Sequence, residues 1–277
     1  REEQGTLGRT CPPSLPLAWD VQPMLMPGAF PILDFDDDPD DLISPMMFAD
    51  VQVEGPGVAV LAFLSEKTIE TAEGWEVRRV GTVPFVTVEY PIYEATRSGQ
   101  AVRVAPMPIG AAAAALVTER MIRSGADSLV AVGSCGALRK LPEGEFVVPS
   151  RALRDEGTSY HYLKAGAWVE TDEALRATVA KVARSAGFGA QVAPVWTTDG
   201  FFRETRALVE QRKSQGCVAV EMECAAMAAI AKVRGVRFAQ LLFTADTLAD
   251  NDYDLRGFGV DSHHVALSLA LEAAAGC

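Results

Sequence analysis

The sequence contains no run of about 18 uncharged apolar residues, the length that a helix needs to span a lipid bilayer, so we expect no transmembrane segment. Its first residues, REEQGTLGRT, lack the basic segment followed by an apolar one that marks a signal peptide. Basic residues are also few, because 25 Lys and Arg stand against 37 Asp and Glu and give a formal charge of -12. Surfaces that bind nucleic acid are normally basic, so this balance argues against a nucleic-acid partner.

The residue types that bind transition metals are scarce and scattered. The cysteines stand at positions 11, 135, 217, 224 and 277, they form no Cys-x-x-Cys pair, and the chain has only 3 histidines. An odd number of dispersed cysteines indicates reduced thiols in a cytoplasmic protein, and we expect no metal site. The acidic stretch DFDDDPDD at residues 34–41 lacks the ligand spacing of an EF-hand and is typical of a solvated loop.

The chain divides into two segments that differ in composition and hydrophobic pattern. Residues 1–52 are rich in Pro and Asp and predict an extended arm, whereas residues 53–277 predict a domain in which strands alternate with helices. VAVLAF and FVTVEY are typical of strands, SLVAVGSCGAL of a strand that ends in a glycine-rich turn, and DEALRATVAKVARSAG of an amphipathic helix. The alternation predicts a single layered α/β domain with a central sheet covered on both faces. In such folds ligands bind beyond the carboxyl ends of the strands.

Two glycine-containing segments follow predicted strands. Pro108–Ala111 precedes an alanine-rich helix, and a glycine at a helix N-terminus lets an anion approach free backbone N–H groups. Gly133–Gly136 places Ser134 and Cys135 between two glycines, where a ligand can approach the backbone closely. The alternatives are a tight turn at the first segment and a close-packed, unreactive Cys135 at the second.

Three further segments place charged and aromatic residues after strands. Arg154–Tyr162 is dense in polar groups, as expected either of a binding loop or of a capped turn. Thr197–Arg206 contains two phenylalanines and arginines, which suit the stacking and clamping of a flat ring but also the anchoring of a core. Asp246 ends an apolar strand, where burial raises the pKa of a carboxyl and suits it to general acid catalysis; the alternative is a helix N-cap.

The run VAVEMECAAMAA at residues 218–229 places two carboxylates, Glu221 and Glu223, among small and apolar residues. Such a run predicts burial, and bare carboxylates are rarely buried because removing an unpaired charge from water is unfavourable. Both side chains therefore require polar partners from the protein or from a ligand.

The motifs GSCGAL, RDEGTSYHY, TTDGFFRET, VAVEMECAA and FTAD follow one another in this order, and from about Val58 to about Ala275 the sequence resembles the nucleoside phosphorylase superfamily. That superfamily includes uridine phosphorylases, hexameric purine nucleoside phosphorylases and related nucleosidases. The resemblance implies a phosphorylase-like fold with a central mixed β-sheet flanked by helices. It implies cleavage of the N-glycosidic bond of a nucleoside by inorganic phosphate, with no cofactor, in a homo-oligomer that is a dimer or a hexamer.

The resemblance also implies roles for the two carboxylates and for Asp246. Glu223 corresponds to the residue that accepts hydrogen bonds from the 2′- and 3′-hydroxyls of the ribose, for which two carboxylate oxygens are well suited. Met222 packs beneath the sugar, and Glu221 completes the ribose-binding group. Asp246 corresponds to the acid that protonates N7 of a purine.

Phosphate- and base-binding positions follow from the same resemblance. Phosphate binding is implied for Ser134 and Gly110, with Lys67 as the nearest cation after the first strand. Base binding is implied for Phe201, Arg206, Cys135 and Gly136. Arg206 falls one residue short of an arginine that holds pyrimidine oxygens in uridine phosphorylases, so the motifs favour a purine only slightly and leave uridine open.

The sequence departs from the family where phosphate is bound. Two positions at which phosphorylases of this type carry arginine are occupied by Ala131 and Val88, and Arg103 and Arg154 are other cations that could replace them. Loss of a charge-assisted contact weakens binding by roughly 1.5–3 kcal/mol. Two alternatives therefore stay open: a nucleosidase that uses water, and a non-catalytic nucleoside-binding protein, against which the presence of both Glu223 and Asp246 argues.

Overall fold

The computed structural model describes residues 28, 30–38, 40–47, 55–85, 87–250 and 252–277. In these residues the strands are β1 (Val58–Ala62), β2 (Glu76–Pro84), β3 (Glu89–Arg97), β4 (Gln100–Pro106), β5 (Ser128–Ala137), β6 (Phe146–Asp155), β7 (Trp168–Glu170), β8 (Ala190–Thr198), β9 (Ala219–Glu221) and β10 (Arg237–Thr247). The α-helices are α1 (Ser44–Met47), α2 (Glu66–Glu70), α3 (Ala111–Arg123), α4 (Ser159–Tyr162), α5 (Glu173–Ser185), α6 (Arg206–Ser214), α7 (Cys224–Arg234) and α8 (His263–Ala275). Short 3₁₀ helices span Pro31–Leu33, Phe201–Arg203 and Val260–Ser262.

The strands form one mixed sheet, part of which closes into a barrel. Strands β4, β1, β5 and β10 run parallel, and β10 then pairs antiparallel with β6. Strands β6, β8 and β9 are parallel to one another, and β9 returns to β5 in antiparallel register. The barrel is therefore β5–β10–β6–β8–β9, while β2 and β3 extend the sheet beyond β4.

Both faces of the open part of the sheet are buried by helices. On β1, Val60 and Ala62 pack with α5 and α8, whereas Ala59 and Leu61 pack with α3 and α7. A strand buried on both faces needs apolar side chains at every position, which is why its sequence is continuous in apolar residues. The prediction of a layered α/β domain with helices on both faces of a central sheet is confirmed.

Several local predictions differ from the structure. The segment GSCGA is not a turn: it continues β5, because β10 and β9 supply partners as far as Ala137. The predicted strand FVTVEY begins only at Glu89, after a turn in which the Phe85 N–H donates to Val88. Strand β2 was missed because its side chains are mostly exposed and carry no strong apolar pattern.

The predicted arm, residues 1–52, lies partly outside the described residues, and its boundary stays a prediction. In the acidic stretch, Asp carboxylates accept hydrogen bonds from backbone N–H groups a few residues further on, for instance Asp36 from Asp38 and Asp41 from Ser44. Such local bonds are typical of a solvated turn. None of the helices in the described part of the chain has the length and apolar character required to cross a bilayer.

Candidate active site

Some of the polar residues predicted as a site are brought together around strand β5 of the closed barrel. Strand β9 lies between β5 and β8 there: Val220 pairs with Gly136 on one side, and Glu221 pairs with Thr197 on the other. Strand β10 runs parallel to β5 and places Asp246 beside Gly136. Because β9 runs antiparallel to β5, the carboxyl ends of β9 and β10 point in opposite directions, and these segments meet around Gly136 of β5 rather than beyond a common edge of parallel strands.

Glu221 is buried, and both of its carboxylate oxygens are engaged by the protein. One accepts a hydrogen bond from the Thr197 hydroxyl, and the other accepts from the backbone N–H groups of Glu223, at 2.8 Å, and Cys224, at 2.7 Å. The Thr197 hydroxyl in turn accepts from the Ala225 N–H at 3.0 Å. Glu221 therefore caps α7 and ties it to β8, while burial raises its pKa. Direct contact of Glu221 with a sugar stays a prediction.

Glu223 is held against the N-terminus of α3. Its Oε1 accepts a hydrogen bond from the Gly110 N–H at 2.6 Å, and the residue is only 7% exposed. Gly110 has a φ of 98°, a conformation that glycine adopts without strain. Burial first, and then the charge of Glu221, raise the pKa of Glu223. The half-buried Met222 lies between the two carboxylates in the chain. The structure thus presents an oriented carboxylate at the strand ends.

One predicted anion-binding residue, Gly110 at the start of α3, contacts this carboxylate, and another, Ser134, lies on β5. Ser134 is exposed on β5, whereas its neighbours on the strand are buried. Helix α3 begins directly after Gly110, so its first N–H groups have no partner within the helix. The Gly110 N–H itself is occupied by Glu223 and is not free for an anion. The structure therefore offers a hydroxyl and a helix N-terminus as neutral donors.

Apolar residues occupy the two positions at which arginines are expected to bind phosphate, and the predicted lysine lies on α2. Ala131 is fully buried in the core, and Val88 exposes an apolar side chain. Lys67 is exposed on α2, beyond the turn that contains Phe63. Phe63 packs so closely on the backbone of β5 that a Cβ added to Gly133 would lie 2.9 Å from its own Cβ. An aromatic side chain thus borders the strand next to Ser134.

The guanidinium groups of Arg103 and Arg154 form hydrogen bonds with other groups of the protein. Arg103 is buried and donates to the Ser124 carbonyl at 2.7 Å. Arg154 is also buried, and its guanidinium donates to the Ser159 hydroxyl and to the carbonyls of Ser159, Leu163 and Lys164. Arg154 therefore organises the loop that contains α4, as the capped-turn alternative predicted.

Asp246 lies over the glycine-rich part of β5. A Cβ added to Gly136 would lie 3.3 Å from Asp246 Oδ1 and 3.0 Å from Val220 Cγ1, so a residue larger than glycine would displace the acid. Tyr253, in the loop after β10, interacts electrostatically with Asp246: burial, followed by the charge of Asp246, raises the pKa of Tyr253. Burial raises the pKa of Asp246, although the charge of Arg256 acts in the opposite direction.

Two neighbours of Asp246 were missed by the sequence analysis. Tyr253 lies in a loop closed by reciprocal backbone hydrogen bonds between Thr247 and Asp254, each 3.0 Å long, and no periodic pattern marks it. Glu204 follows the second 3₁₀ helix and is half-buried; burial and then the charge of Asp246 raise its pKa to about 7. A glutamate just before a helix is normally solvated, so only the fold could identify it as part of the site.

Two predicted base-binding residues, Phe201 and Arg206, differ in their contacts. Phe201 is 46% exposed and packs edge-to-face on Phe202, with ring centroids 5.1 Å apart, which leaves aromatic surface available beyond β8. Arg206 pairs with Asp252 at 3.5 Å, and their side chains are 73% and 89% exposed. The structure therefore turns Arg206 to solvent rather than toward the strand ends.

Cys135 is 3% exposed, and its Sγ lies 3.6 Å from the Phe243 carbonyl oxygen. Burial, followed by the charges of Glu221 and Asp246, raises its pKa, so the thiol stays neutral and unreactive. This geometry fits the alternative prediction that Cys135 is a close-packed, unreactive residue. The described residues also contain no group of three or more His, Cys, Asp or Glu side chains that could hold a metal ion.

A separate groove of about 1100 Å³ lies between the described part of the arm and helices α3, α4 and α7. Phe35, Phe85 and Leu116 supply apolar surface there, and the aspartates of the acidic stretch form part of its wall. This concentration of negative charge disfavours an anionic ligand. The barrel end, rather than this groove, is therefore the candidate active site.

The chain is similar to known proteins over most of its length. The family model described as the phosphorylase superfamily matches residues 58–275. A guanosine phosphorylase from Halorubrum lacusprofundi is 28% identical over 193 residues, which are 67% of this chain and 80% of that protein. A uridine phosphorylase from Thermococcus kodakarensis is 26% identical over 54% of this chain and 59% of its own length. A DeoD-type purine nucleoside phosphorylase from Bacillus cytotoxicus is 25% identical over 66% of this chain and 79% of its own.

Solved structures share the fold. A uridine phosphorylase from Vibrio fischeri superposes with a TM-score of 0.70 at 20% identity, covering 81% of this chain and 94% of that one. A purine nucleoside phosphorylase from Toxoplasma gondii, in complex with immucillin-H, gives a TM-score of 0.68 at 19% identity, covering 82% and 92%. Together with the family match, which covers well over half of the sequence, these likenesses establish that the chain belongs to the phosphorylase superfamily.

Proposed function

We propose that this protein is a nucleoside phosphorylase, a pentosyltransferase that cleaves the N-glycosidic bond of a purine nucleoside with inorganic phosphate. The products are the free base and a ribose or deoxyribose 1-phosphate. The observation that carries the proposal is the position of Glu221 and Glu223 just after Val220, which lies with Asp246 against Gly136 of β5, together with the hydrogen bond from Gly110 at the start of α3 to Glu223. The family and the names of the guanosine and purine nucleoside phosphorylase relatives support the same reaction.

Glu223 binds and orients the sugar in this proposal. Its carboxylate is fixed by the Gly110 N–H and is suited to accept hydrogen bonds from the 2′- and 3′-hydroxyls. As the C1′–N9 bond breaks, the sugar becomes oxocarbenium-like, and negative charge beneath or beside it is stabilising. Met222 provides apolar contact with the sugar, and Glu221 keeps the segment in place through α7 and Thr197.

Asp246 is the general acid for the leaving base in this proposal. The electron pair of the C1′–N9 bond passes to the base, N7 takes a proton from the neutral carboxyl of Asp246, and a phosphate oxygen forms the new bond to C1′. Burial raises the pKa of Asp246 and so favours the protonated form that this step needs. Arg206 is paired with Asp252 in solvent, which favours a purine over a pyrimidine that would require a cation at its oxygens.

The proposed phosphate site has few cations. Ser134 and the first N–H groups of α3 are neutral donors, and Lys67 is the exposed cation after β1. A helix N-terminus favours an anion by about 0.3–1 kcal/mol at an exposed site. We therefore propose a high KM for phosphate.

The replacement of expected arginines favours a second candidate, a nucleosidase in which water attacks C1′. Ala131 is fully buried, and Arg103 and Arg154 are engaged by carbonyl groups. The same Glu223 and Asp246 would serve the sugar and the base, and the products would be the free base and ribose.

A nucleoside panel with and without phosphate separates the two candidates. Guanosine, inosine, adenosine, uridine and thymidine are incubated with the protein, and bases and sugars are identified by chromatography. Phosphate-dependent release of guanine or hypoxanthine with ribose 1-phosphate is the expected result. Release without phosphate, with free ribose, would establish hydrolysis instead, and release of uracil or thymine alone would overturn the preference for purines.

We further propose a homo-oligomer, a dimer or hexamer, that works in the cytoplasm. Exposed apolar side chains such as Ile109, Leu116 and Val233 support association of copies. The cysteines 135, 217, 224 and 277 are free thiols, in keeping with a reducing compartment. Light scattering after gel filtration gives the mass of the particle and tests the first statement. That the reaction needs no cofactor stays a prediction.

A further inference from the structure

The acid of the proposed reaction, Asp246, lies in a bulge of β10. The register between β10 and β5 shifts between Thr244 and Thr247, so that two residues of β10, one of which is Asp246, lie opposite the single residue Gly136. A β-bulge re-aims a side chain and locally disrupts the ladder of hydrogen bonds. The place of the Asp246 carboxyl therefore depends on the contacts that hold the backbone on either side of the bulge.

The turn between β5 and β6, residues 141–145, holds the first side of this bulge. Thr244 is fully buried, and its hydroxyl donates to the Pro142 carbonyl at 2.6 Å and accepts from the Glu145 N–H at 3.1 Å. The Gly144 N–H also donates to the Thr244 carbonyl at 2.9 Å. The turn is thus hydrogen-bonded to β10 two residues before the proposed acid.

The same turn holds the loop that follows β10, and it does so through Glu143. The Glu143 carboxylate accepts hydrogen bonds from the backbone N–H groups of Gly257, at 3.0 Å, and Gly259, at 2.8 Å. These two bonds lower the pKa of Glu143, so its carboxylate is ionised at neutral pH. The Arg256 guanidinium donates to the Leu141 carbonyl at 2.9 Å and adds a second contact between the loop and the turn.

The loop held by Glu143 is joined directly to the residue after the proposed acid. Thr247 and Asp254 exchange backbone hydrogen bonds, each 3.0 Å long, and Asp254 Oδ1 accepts from the Arg256 N–H at 3.0 Å. Arg256 and Phe258 have φ of 51° and 56°, a left-handed conformation that residues other than glycine rarely adopt. Such conformations persist where surrounding contacts hold them, and Glu143 supplies two of these contacts.

We propose that Glu143 is a positioning residue for Asp246: it fixes the loop that pairs with Thr247 and thereby keeps the Asp246 carboxyl in its place beside Gly136. This inference rests on the proposed function, in which Asp246 is the general acid. Glu143 acts through the backbone on one side of the bulge, while the bonds of the turn to Thr244 fix the other side. An exposed glutamate far along the chain from the acid thus contributes to its geometry.

The first measurement does not depend on activity. Hydrogen exchange of the Thr247 and Asp254 amides is compared in wild type, Glu143→Ala and the control Lys140→Ala. Lys140 forms an exposed ion pair with Asp250, 3.0 Å long, next to the same turn and in the same loop, so its substitution removes a charged contact and leaves the Glu143 bonds intact. We expect exchange about tenfold faster or more in Glu143→Ala and unchanged exchange in Lys140→Ala.

The second measurement compares kcat/KM for guanosine and for 7-methylguanosine, whose N7 already carries a methyl group and a positive charge, so that its base leaves without protonation. Misplacement of the acid in Glu143→Ala should reduce kcat/KM about tenfold to hundredfold for guanosine and less than about threefold for 7-methylguanosine. Glu143→Gln, which keeps one acceptor oxygen, should show an intermediate loss for guanosine. Lys140→Ala should match wild type on both nucleosides.

A double-mutant cycle shows whether Glu143 acts through Asp246. In the Asp246→Asn background no acid is left to be positioned, so adding Glu143→Ala should reduce kcat/KM for guanosine by less than about threefold. If the two losses multiply instead, Glu143 does not act through Asp246 and the inference is wrong.

Two further results would overturn the inference: unchanged amide exchange in Glu143→Ala, or an equal loss on both nucleosides, which would indicate a general structural role. Thermal unfolding is measured for each variant, and if Glu143→Ala does not fold, the isosteric Glu143→Gln takes its place in every comparison. If wild type releases base from neither nucleoside, the proposed function itself fails. That failure is read from the wild type alone, and the failure of the inference from the variants and their amide exchange.

Discussion

At the scale of single residues, the two carboxylates of the VEME segment have different environments although they are two positions apart. Glu221 is satisfied by three donors of the protein, whereas Glu223 is held by the Gly110 N–H at the strand ends. Burial raises the pKa of both. The separate hydrogen-bond donors of the two carboxylates explain how one short segment accommodates two buried acids.

The first prediction concerns Glu223. Glu223→Gln keeps the size of the side chain but removes its charge, and hydrogen bonds to a charged group contribute about 1.5–3 kcal/mol each. We therefore expect kcat/KM for guanosine to fall about tenfold to a thousandfold, with a smaller fall for 2′-deoxyguanosine, which lacks one of the two hydroxyls. An equal fall for both nucleosides would argue against contact with the 2′-hydroxyl.

At the scale of elements, the site depends on how β8, β9 and α7 are joined. The Thr197 hydroxyl donates to Glu221 on β9 and accepts from the Ala225 N–H in the first turn of α7. One fully buried hydroxyl thus links a strand to the helix whose start carries Glu223. Loss of this link should affect both stability and the placement of the Glu223 carboxylate, for which we propose sugar binding.

The second prediction follows from this link. Thr197→Val keeps the shape of the side chain but leaves a Glu221 oxygen and the Ala225 N–H without their partner. Each buried group left unsatisfied costs about 1–3 kcal/mol, so we expect a fall of about that size or more in the free energy of unfolding measured in urea.

Thr178→Val is the matched control for this substitution. Thr178 donates to the Ala174 carbonyl on the outer side of α5, so its substitution should change stability by less than about 0.5 kcal/mol. Equal stability of the two variants would mean that the link between β8 and α7 is not important for folding.

The local predictions were most accurate where one element is buried on both faces. Strand β1 is continuous in apolar residues, and the sequence located it correctly. The exposed strand β2 was missed, and GSCGA was predicted as a turn because its glycines are normally turn residues. In the structure the absence of a side chain at those glycines lets Phe63 pack closely on Gly133 and lets Asp246 lie close to Gly136.

At the scale of the whole molecule, charge is the dominant departure from an average protein. The formal charge of -12 is spread over a chain of 277 residues. A net charge far from zero destabilises the compact state through self-repulsion, and salt screens that repulsion within about 10 Å at 0.1 M. Such a field also opposes the approach of phosphate to a site with few cations.

The third prediction is that salt raises the thermal stability of the protein and weakens the electrostatic repulsion of phosphate. Raising NaCl from about 0.02 to about 0.3 M should raise Tm by about 2–4 °C at pH 7.5, corresponding to roughly 1 kcal/mol for a chain of this size. The same series near the isoelectric pH, where net charge is absent, is the control and should show a smaller rise. A fall in Tm with salt at pH 7.5 would show that ion pairs outweigh the self-repulsion.

The sequence by itself determined the α/β class, the family and the segments that carry Glu223 and Asp246. Apolar periodicity and short motifs are local properties, so they are visible along a single chain. It could not show that β9 returns to β5 and closes a barrel, since pairing between distant strands depends on the whole fold.

Only the tertiary structure decided which polar groups face one another. It placed Asp246 beside Gly136, turned Arg206 toward Asp252, and engaged Arg103 and Arg154 with carbonyl groups. The chemistry of a charged side chain depends on its neighbours and its burial, and both are fixed by contacts between residues far apart in the chain.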